Sequence, residues 1–119
     1  CGKVRTLAIA EKSTNKLIGL ITLDVVEIFA RAEISYWINR SYRNKGYATE
    51  AIKGIIKYSF DSLSLNRIQA ITSNSASERV LFKAGMIYEG TLRQYFRIGD
   101  IYWDVKMYAI LKEDFIKYA

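Results

Sequence analysis

Histidine and proline are both absent from this chain of 119 residues, and there is a single cysteine. Without histidine, the chain cannot form the Ser-His or Cys-His pairs of common nucleophilic catalysts, and it lacks a usual ligand of zinc. One cysteine cannot form a disulfide within the chain, which suits a reducing cytoplasm. Any general base must therefore be a carboxylate, a tyrosine, a lysine or a water molecule, and we predict no metal site.

Long apolar runs are also missing: no stretch of about 18 apolar residues occurs, so no membrane span is predicted. The chain begins Cys1-Gly2-Lys3, without an initiator methionine or a signal peptide. We expect one domain covering residues 1–119, cut from a longer protein. Its balance of 50% hydrophobic and 25% charged residues is ordinary for a globular fold and argues against disorder. The net charge of +6 favours an anionic partner, such as a polyphosphate cofactor, a nucleic acid or an acidic protein.

Apolar runs rich in β-branched residues predict strands, and a period of 3.6 residues predicts two helices. The strands are predicted at 6–10, 17–24, 33–38, 67–72, 87–98 and 101–111, and the helices from 46 to about 62–64 and between 74 and 85. Residues 25–32 either continue the second strand or form a mobile connection. The order β-β-β-α-β-α-β-β predicts an α/β (α+β) fold with a mixed sheet, in which the third and fourth strands run parallel.

Three local signals refine this pattern. Gly19, inside the second strand, indicates a bulge or a close approach of two backbones. Ser75 and Glu78 fit a capping box at the start of the second helix, and Gly85 fits its end. Gly99 and the aspartate after it predict a two-residue hairpin turn.

A short basic segment joins the third strand to the first helix. Free N–H groups at a helix N-terminus and the positive end of its dipole attract phosphate, and Arg43 and Lys45 add full charges. Gly46 lets the backbone come close to an anion. The alternative is an ordinary strand-helix turn with solvated basic residues. The segment predicts a site for a phosphate-bearing, nucleotide-like cofactor.

The pattern Arg43-x-x-Gly46-x-Ala48 resembles the acetyl-coenzyme A (acetyl-CoA) loop of the GNAT superfamily of N-acetyltransferases. The surrounding sequence looks like the branch that acetylates ribosomal-protein alanine or serine. The similar segments are 36–51, 66–68, 74–81, 83–86, 89–93 and 111–114, together with Gly99 and Asp104. The resemblance therefore covers nearly the whole chain, in order, apart from roughly the first third of such a domain, which is missing here.

The resemblance implies the GNAT acyl-CoA N-acyltransferase fold, in which the third strand splays away from the fourth at a bulge. The freed backbone groups of Tyr36, Trp37 and Ile38 would then pair with the pantetheine arm of the cofactor. The pyrophosphate would lie on Arg43, Asn44, Lys45, Gly46, Tyr47, Ala48 and Thr49. Asn74 would hold the pantetheine from the other side. A sheet without its first strand would expose an edge, which could pair with another chain to form a homo-oligomer. The alternative is an edge that is exposed only because the chain is a fragment.

The resemblance also implies direct acyl transfer from acetyl-CoA to an amine, through proximity and carbonyl polarisation. Many members carry a tyrosine acid seven residues after the asparagine, where this chain has Leu81. Ser77 is then the candidate acid, and a thiolate that leaves unaided is the alternative. Glu33 is the candidate base, with Glu89 or ordered water as alternatives. The side chain of Trp37 is predicted to be a packing residue, with only its backbone contributing to the site.

The acceptor favoured by the resemblance is a protein N-terminal amine, with polyamines, amino sugars and other small amines as alternatives. A module that binds acetyl-CoA without turnover is a second possible function. A nucleic-acid binder is disfavoured, because the basic residues are scattered and no aromatic RNA-binding motif occurs.

Overall fold

A computed structural model describes residues 3–118 and arranges six strands in one mixed sheet, in the order β1-β2-β3-β4-β6-β5. The elements in chain order are β1 (Lys3–Ala10), β2 (Leu17–Val26), β3 (Arg31–Ile38), α1 (Tyr47–Ser62), β4 (Arg67–Thr72), α2 (Ser75–Lys83), β5 (Ile87–Ile98), β6 (Ile101–Leu111) and α3 (Lys112–Tyr118). The predicted order of strands and helices is confirmed, and α3 follows it. Strand β1 lies at one edge of the sheet; association through that edge stays a prediction.

One hydrophobic core lies between the sheet and helices α1 and α2. The apolar face predicted for α1 is buried, with Ile52 and Ile56 almost inaccessible. Helix α3 adds Phe115, whose ring lies 5.2 Å from that of Phe60. The sequence pattern missed α3 because seven residues contain too few turns to show a period. No helix among residues 3–118 is long and apolar enough to cross a bilayer.

The connection between β2 and β3, left open by the sequence, is a short turn. Strand β2 runs to Val26, a 3-10 turn covers Glu27–Phe29, and Ala30 has a positive φ of 50°. Strand β3 then starts at Arg31 and pairs antiparallel with β2. Residues 25–32 therefore divide between two strands and a tight turn.

Both features predicted for Gly19 are present. The β1–β2 register shifts beside it, where Ile9 pairs with Gly19 but Ala10 pairs with Leu17. A Cβ added at Gly19 would lie 2.2 Å from the carbonyl oxygen of Trp37 on β3. Only glycine allows β2 and β3 to approach this closely at the end of β3.

Strands β3 and β4 run parallel, as predicted, but they pair over three residues only. The pairs run from Arg31 with Arg67 to Glu33 with Gln69, and beyond them the strands diverge. The bulge implied by the family resemblance is not in β3, because its register with β2 is unbroken through Ile38. The sheet therefore opens into a wedge between β3 and β4 without an irregularity in β3.

The N-terminus of α2 differs from the predicted capping box. Asn74 is the N-cap, its side-chain oxygen accepts from the Ser77 N–H at 2.7 Å, and Ser75 is the first helical residue. Asparagine is at least as good an N-cap as serine, and its position leaves Glu78 free to bond elsewhere. Gly85 ends the helix as predicted, with φ of 97°.

Candidate functional site

A cavity of about 920 Å³ lies where β3 and β4 diverge. One wall is the end of β3 with the loop and first turn that follow it, and the other is the start of α2. Its lining comprises Tyr36, Trp37, Ile38, Tyr42, Arg43, Asn44, Gly46, Tyr47, Ala48, Thr49, Glu50, Lys53, Asn74, Ala76, Ser77, Arg79, Val80 and Lys83. The structure thus brings together residues from three segments that the sequence had linked only by family resemblance.

The start of α1 is open to an anion. Gly46 is its N-cap with φ of 84°, and no side chain caps the helix. The first N–H groups of a helix have no partner within it, so those following Gly46 are available at the cavity wall. Asn44 also has a positive φ, of 62°, which turns the loop sharply into the helix. This geometry suits a phosphate group, as the loop sequence predicted.

The backbone of β3 presents alternate residues to the wedge. The Asn39 N–H donates to the Ile18 carbonyl at 2.7 Å, which marks this pair as hydrogen-bonded across β2 and β3. Bonded pairs alternate along an antiparallel ladder, so Trp37 bonds to β2 opposite Leu20. Tyr36 and Ile38 therefore direct their backbone groups towards the wedge. Of the three residues predicted to offer backbone groups, these two do so.

The loop is tied to the end of β3 and to the β1–β2 turn. The Nε of Arg43 donates to the Ile38 carbonyl at 3.2 Å, which occupies one of the groups facing the wedge. The Tyr47 hydroxyl donates to Glu11 at 2.7 Å. That hydrogen bond raises the pKa of Tyr47 and lowers the pKa of Glu11. These contacts hold the loop in place before any ligand binds.

The second wall carries the predicted acid. The Ser77 Oγ accepts a hydrogen bond from the Tyr36 hydroxyl at 3.1 Å, which joins β3 to α2 across the wedge. Burial raises the pKa of Tyr36. Leu81, which stands where many relatives have a tyrosine, is 1% exposed in the core and does not line the cavity.

Three basic residues of the lining were missed by the sequence reasoning. Lys53 lies on α1, and Arg79 and Lys83 lie on α2. The signal was available, because Ala76, Arg79 and Lys83 recur at the spacing of one helical face. The sequence prediction for α2 concerned only the residues of the helix that face the core. These cations extend the positive charge of the cavity beyond the loop.

Two predicted site residues lie outside the cavity lining. Lys45 places its Nζ 5.6 Å from the centre of the Tyr42 ring, a cation-π contact. Glu33 lies on the alternate face of β3 from Tyr36, and its carboxylate accepts from Gln69 at 3.0 Å. A direct role for Glu33 would need an acceptor bound on that side of the sheet.

Glu89, the alternative base, is held by an arginine. The Arg67 guanidinium donates to both carboxylate oxygens, at 2.7 and 3.0 Å. The hydrogen bonds from Arg67 lower the pKa of Glu89. A carboxylate with a lowered pKa is a weaker base, which argues against this alternative.

The pairing of Glu89 with Arg67 predicts a pH-dependent contribution to stability. Glu89→Gln should lower the free energy of unfolding at pH 7 by at most about 1 kcal/mol, because the pair is partly exposed. Because the pKa of Glu89 is lowered in the folded state, its contribution to stability is fully present above the unfolded-state pKa of about 4.3. That contribution is lost as the pH falls through the folded-state pKa of Glu89. Urea unfolding at pH 7 and about pH 3 measures this, with exposed Asp100→Asn as control. An equal deficit at both pH values would contradict it.

The comparisons with known proteins agree with this geometry. Residues 2–87 match the family model described as acetyltransferase (GNAT) domain. The chain belongs to the GNAT acetyltransferase family. It is 38% identical over 107 residues to the uncharacterized N-acetyltransferase YoaA of Bacillus subtilis, covering 87% of this chain and 60% of that protein. It is 34% identical over 98 residues to the ribosomal-protein-serine acetyltransferase of Escherichia coli, covering 80% and 55%.

Solved structures show the GNAT fold directly. An acetyltransferase of the GNAT family from Bacillus anthracis superposes with a TM-score of 0.86 at 35% identity, over 91% of this chain and 66% of that one. A variant of spermidine N-acetyltransferase SpeG from Vibrio cholerae gives 0.88 at 27% identity, over 97% and 69%. The predicted fold class is therefore confirmed. The chain spans about half to two thirds of the length of the curated relatives it matches.

Proposed function

We propose that this domain transfers the acetyl group of acetyl-CoA to a primary amine, and that the amine is the N-terminus of a protein. The observation that supports this most is the divergence of β3 and β4 beside the uncapped start of α1. An extended arm can pair with the freed strand while its phosphates meet free N–H groups. Acetyl-CoA has both parts, and when bound it supplies an acyl group activated as a thioester.

The chain's own residues would act by orientation and polarisation. The first turn of α1, from Tyr47 to Thr49, would bind the pyrophosphate with Arg43 nearby. The Tyr36 backbone would hold the pantetheine arm and donate to the thioester carbonyl, and Asn74 would contact the arm from the other wall. Ser77 would donate its hydroxyl hydrogen to the sulfur as negative charge develops there. The amine proton would pass to water or to a carboxylate.

A protein N-terminus fits the charge of the chain better than a polyamine does. The net charge of the chain is +6. A polyamine with several positive charges would approach against this field, whereas an N-terminal amine brings one charge. Among the relatives, one is named a ribosomal-protein-serine acetyltransferase and another a spermidine N(1)-acetyltransferase. We also propose that the protein is cytoplasmic, because a chain with a single cysteine suits a reducing compartment.

The proposal is tested by measuring free thiol released by the full-length protein from acetyl-CoA. The acceptors are peptides with a free N-terminal serine or alanine, the same peptides blocked at the N-terminus but with lysine, and spermidine. We expect thiol release with the free peptides only. Cofactor binding without thiol release would favour a module that binds but does not react. Release with spermidine alone would make a small amine the acceptor.

The basic face of α2 makes a separate prediction about cofactor affinity. Arg79→Ala combined with Lys83→Ala should weaken acetyl-CoA binding about tenfold or more, since each removes a cation able to pair with phosphate. Arg93→Ala with Arg97→Ala on β5 removes the same charge away from the cavity and is the matched control. Calorimetric titration with acetyl-CoA at two salt concentrations measures the affinity of both double variants. Equal losses in the two double variants would mean that only the net charge matters.

A further inference from the structure

The Tyr36 side chain connects the two walls of the cavity. It extends from β3 to α2, where its hydroxyl donates to the Ser77 Oγ at 3.1 Å over a separation of 41 residues. Both residues line the cavity, and both are partly buried. The sequence analysis predicts a role for the backbone of Tyr36 but none for its side chain. The Tyr36 side chain therefore makes a contact that its backbone role does not require.

The direction of this bond limits what the Ser77 hydroxyl can do. A serine hydroxyl has one hydrogen to donate and two lone pairs that accept. Tyr36 supplies the hydrogen in the bond between them, so one lone pair of Ser77 is occupied and its own hydrogen remains free. Among residues 3–118, the Ser77 hydroxyl has no second hydrogen-bond partner. Its hydrogen is thus available to a group in the cavity.

The main chain also holds Ser77 in place. Its N–H donates to the Asn74 side chain at 2.7 Å, which fixes the first turn of α2. With the backbone held by the cap and the oxygen held by Tyr36, the remaining freedom of the hydroxyl is the direction of its hydrogen. An acceptor in the cavity is the group left to bind it.

We propose that Tyr36 is a positioning residue for acyl transfer: by donating to the Ser77 Oγ, it makes Ser77 a donor to the sulfur of the thioester. This role rests on the proposed function of the cavity. Without the Tyr36 hydroxyl, the Ser77 hydroxyl is free to rotate and loses the polarisation that a donor behind it provides. Ser77 then stabilises charge on the sulfur less well.

The role involves hydrogen bonds and no net transfer of the tyrosine proton. In the reaction a carbon–nitrogen bond forms, the carbon–sulfur bond breaks and its electron pair goes to sulfur. The nitrogen loses one proton before attack and a second after the bond forms, both to water or a carboxylate, and the thiolate takes up a proton from water after it leaves. Burial raises the pKa of Tyr36 above its usual value near 10, whereas a thiol has a pKa near 8.5. Moving the tyrosine proton to the thiolate would be uphill. Tyr36 stays protonated and keeps donating.

The test compares Tyr36→Phe with Tyr108→Phe. Tyr108 on β6 donates to Glu78 on the same helix α2 at 2.9 Å, and it does not line the cavity. Both variants remove one hydroxyl that links the sheet to α2, but only one of these hydroxyls acts on Ser77. We expect Tyr36→Phe to lower kcat about tenfold with little change in the KM for acetyl-CoA, and Tyr108→Phe to leave kcat near that of the wild type.

A double-mutant cycle with Ser77→Ala isolates the coupling. If Tyr36 acts through Ser77, the double variant should have the kcat of Ser77→Ala alone. Additive losses would mean that Tyr36 acts independently of Ser77. Equal losses of kcat in Tyr36→Phe and Tyr108→Phe would mean that both hydrogen bonds only support the structure. A rise in the KM for acetyl-CoA alone would mean that Tyr36 helps to bind the substrate. Each of these three results overturns the role, and thermal melts of every variant check that it is folded.

The outcome separates this role from the proposed function itself. A wild-type protein that releases no thiol with any amine overturns both. An active wild type with an equally active Tyr36→Phe overturns the positioning role alone.

Discussion

Gly46→Glu is expected to raise the Kd for acetyl-CoA about 100-fold or more. The new carboxylate would lie at the uncapped N-terminus of α1, where the free N–H groups are proposed to bind pyrophosphate. It would occupy those donors itself and repel the incoming phosphates. A hundredfold change is about 2.7 kcal/mol, within the range for losing one or two charge-assisted hydrogen bonds.

The folded state should survive this substitution. A Cβ at Gly46 meets no protein atom within 4 Å, so the side chain has open space. The positive φ of 84° adds strain of roughly 1–2 kcal/mol. A negative charge near the helix N-terminus offsets part of that strain. Loss of binding would therefore reflect the site and not unfolding.

Gly99→Glu is the matched control for Gly46→Glu. Gly99 also has a positive φ, of 60°, and open space around it, but it lies in the β5–β6 turn away from the cavity. Both variants add the same charge and a similar backbone strain. Calorimetric titration with acetyl-CoA should show a loss in Gly46→Glu only. Unchanged affinity in Gly46→Glu would refute the assignment of the loop.

The second large effect is expected from Gly19→Ala, which should destabilise the fold by about 2 kcal/mol and lower the Tm by roughly 8 °C. The added methyl carbon would lie 2.2 Å from the Trp37 carbonyl oxygen. That atom belongs to the backbone, so it cannot rotate away, and β2 and β3 must separate locally. Because the displaced segment continues into Ile38 at the cavity wall, acetyl-CoA affinity should fall as well.

Gly54→Ala provides the opposite control within the same protein. Gly54 is an exposed residue of α1, and a Cβ there meets nothing within 4 Å. Alanine is favoured over glycine inside a helix by about 1 kcal/mol, so this variant should melt higher than the wild type. Thermal unfolding of the two variants side by side gives shifts of opposite sign. A wild-type Tm for Gly19→Ala would show that the strands need no glycine there.

Local patterns in the sequence were enough for most of the secondary structure. Alternating and 3.6-residue periods depend on neighbours along the chain, so the strands and the helices α1 and α2 were found near their true limits. The loop from Arg43 to Thr49 could be predicted for the same reason, because a helix N-terminus and the glycine before it are neighbours along the chain. The capping error at Ser75 was small, because Asn74 beside it serves equally well.

The tertiary structure decided the contacts between residues that lie far apart in the chain. The basic loop is the part of the candidate site that local features of the sequence predict, namely its charge, its glycine and the start of a helix. Pairing between β3 and β4 ends after Glu33, and this opens the wedge that the loop alone could not indicate. The bond from Tyr36 to Ser77 and the salt bridge of Glu89 depend on strand order and register. No local pattern encodes such contacts, because they form only when the sheet assembles.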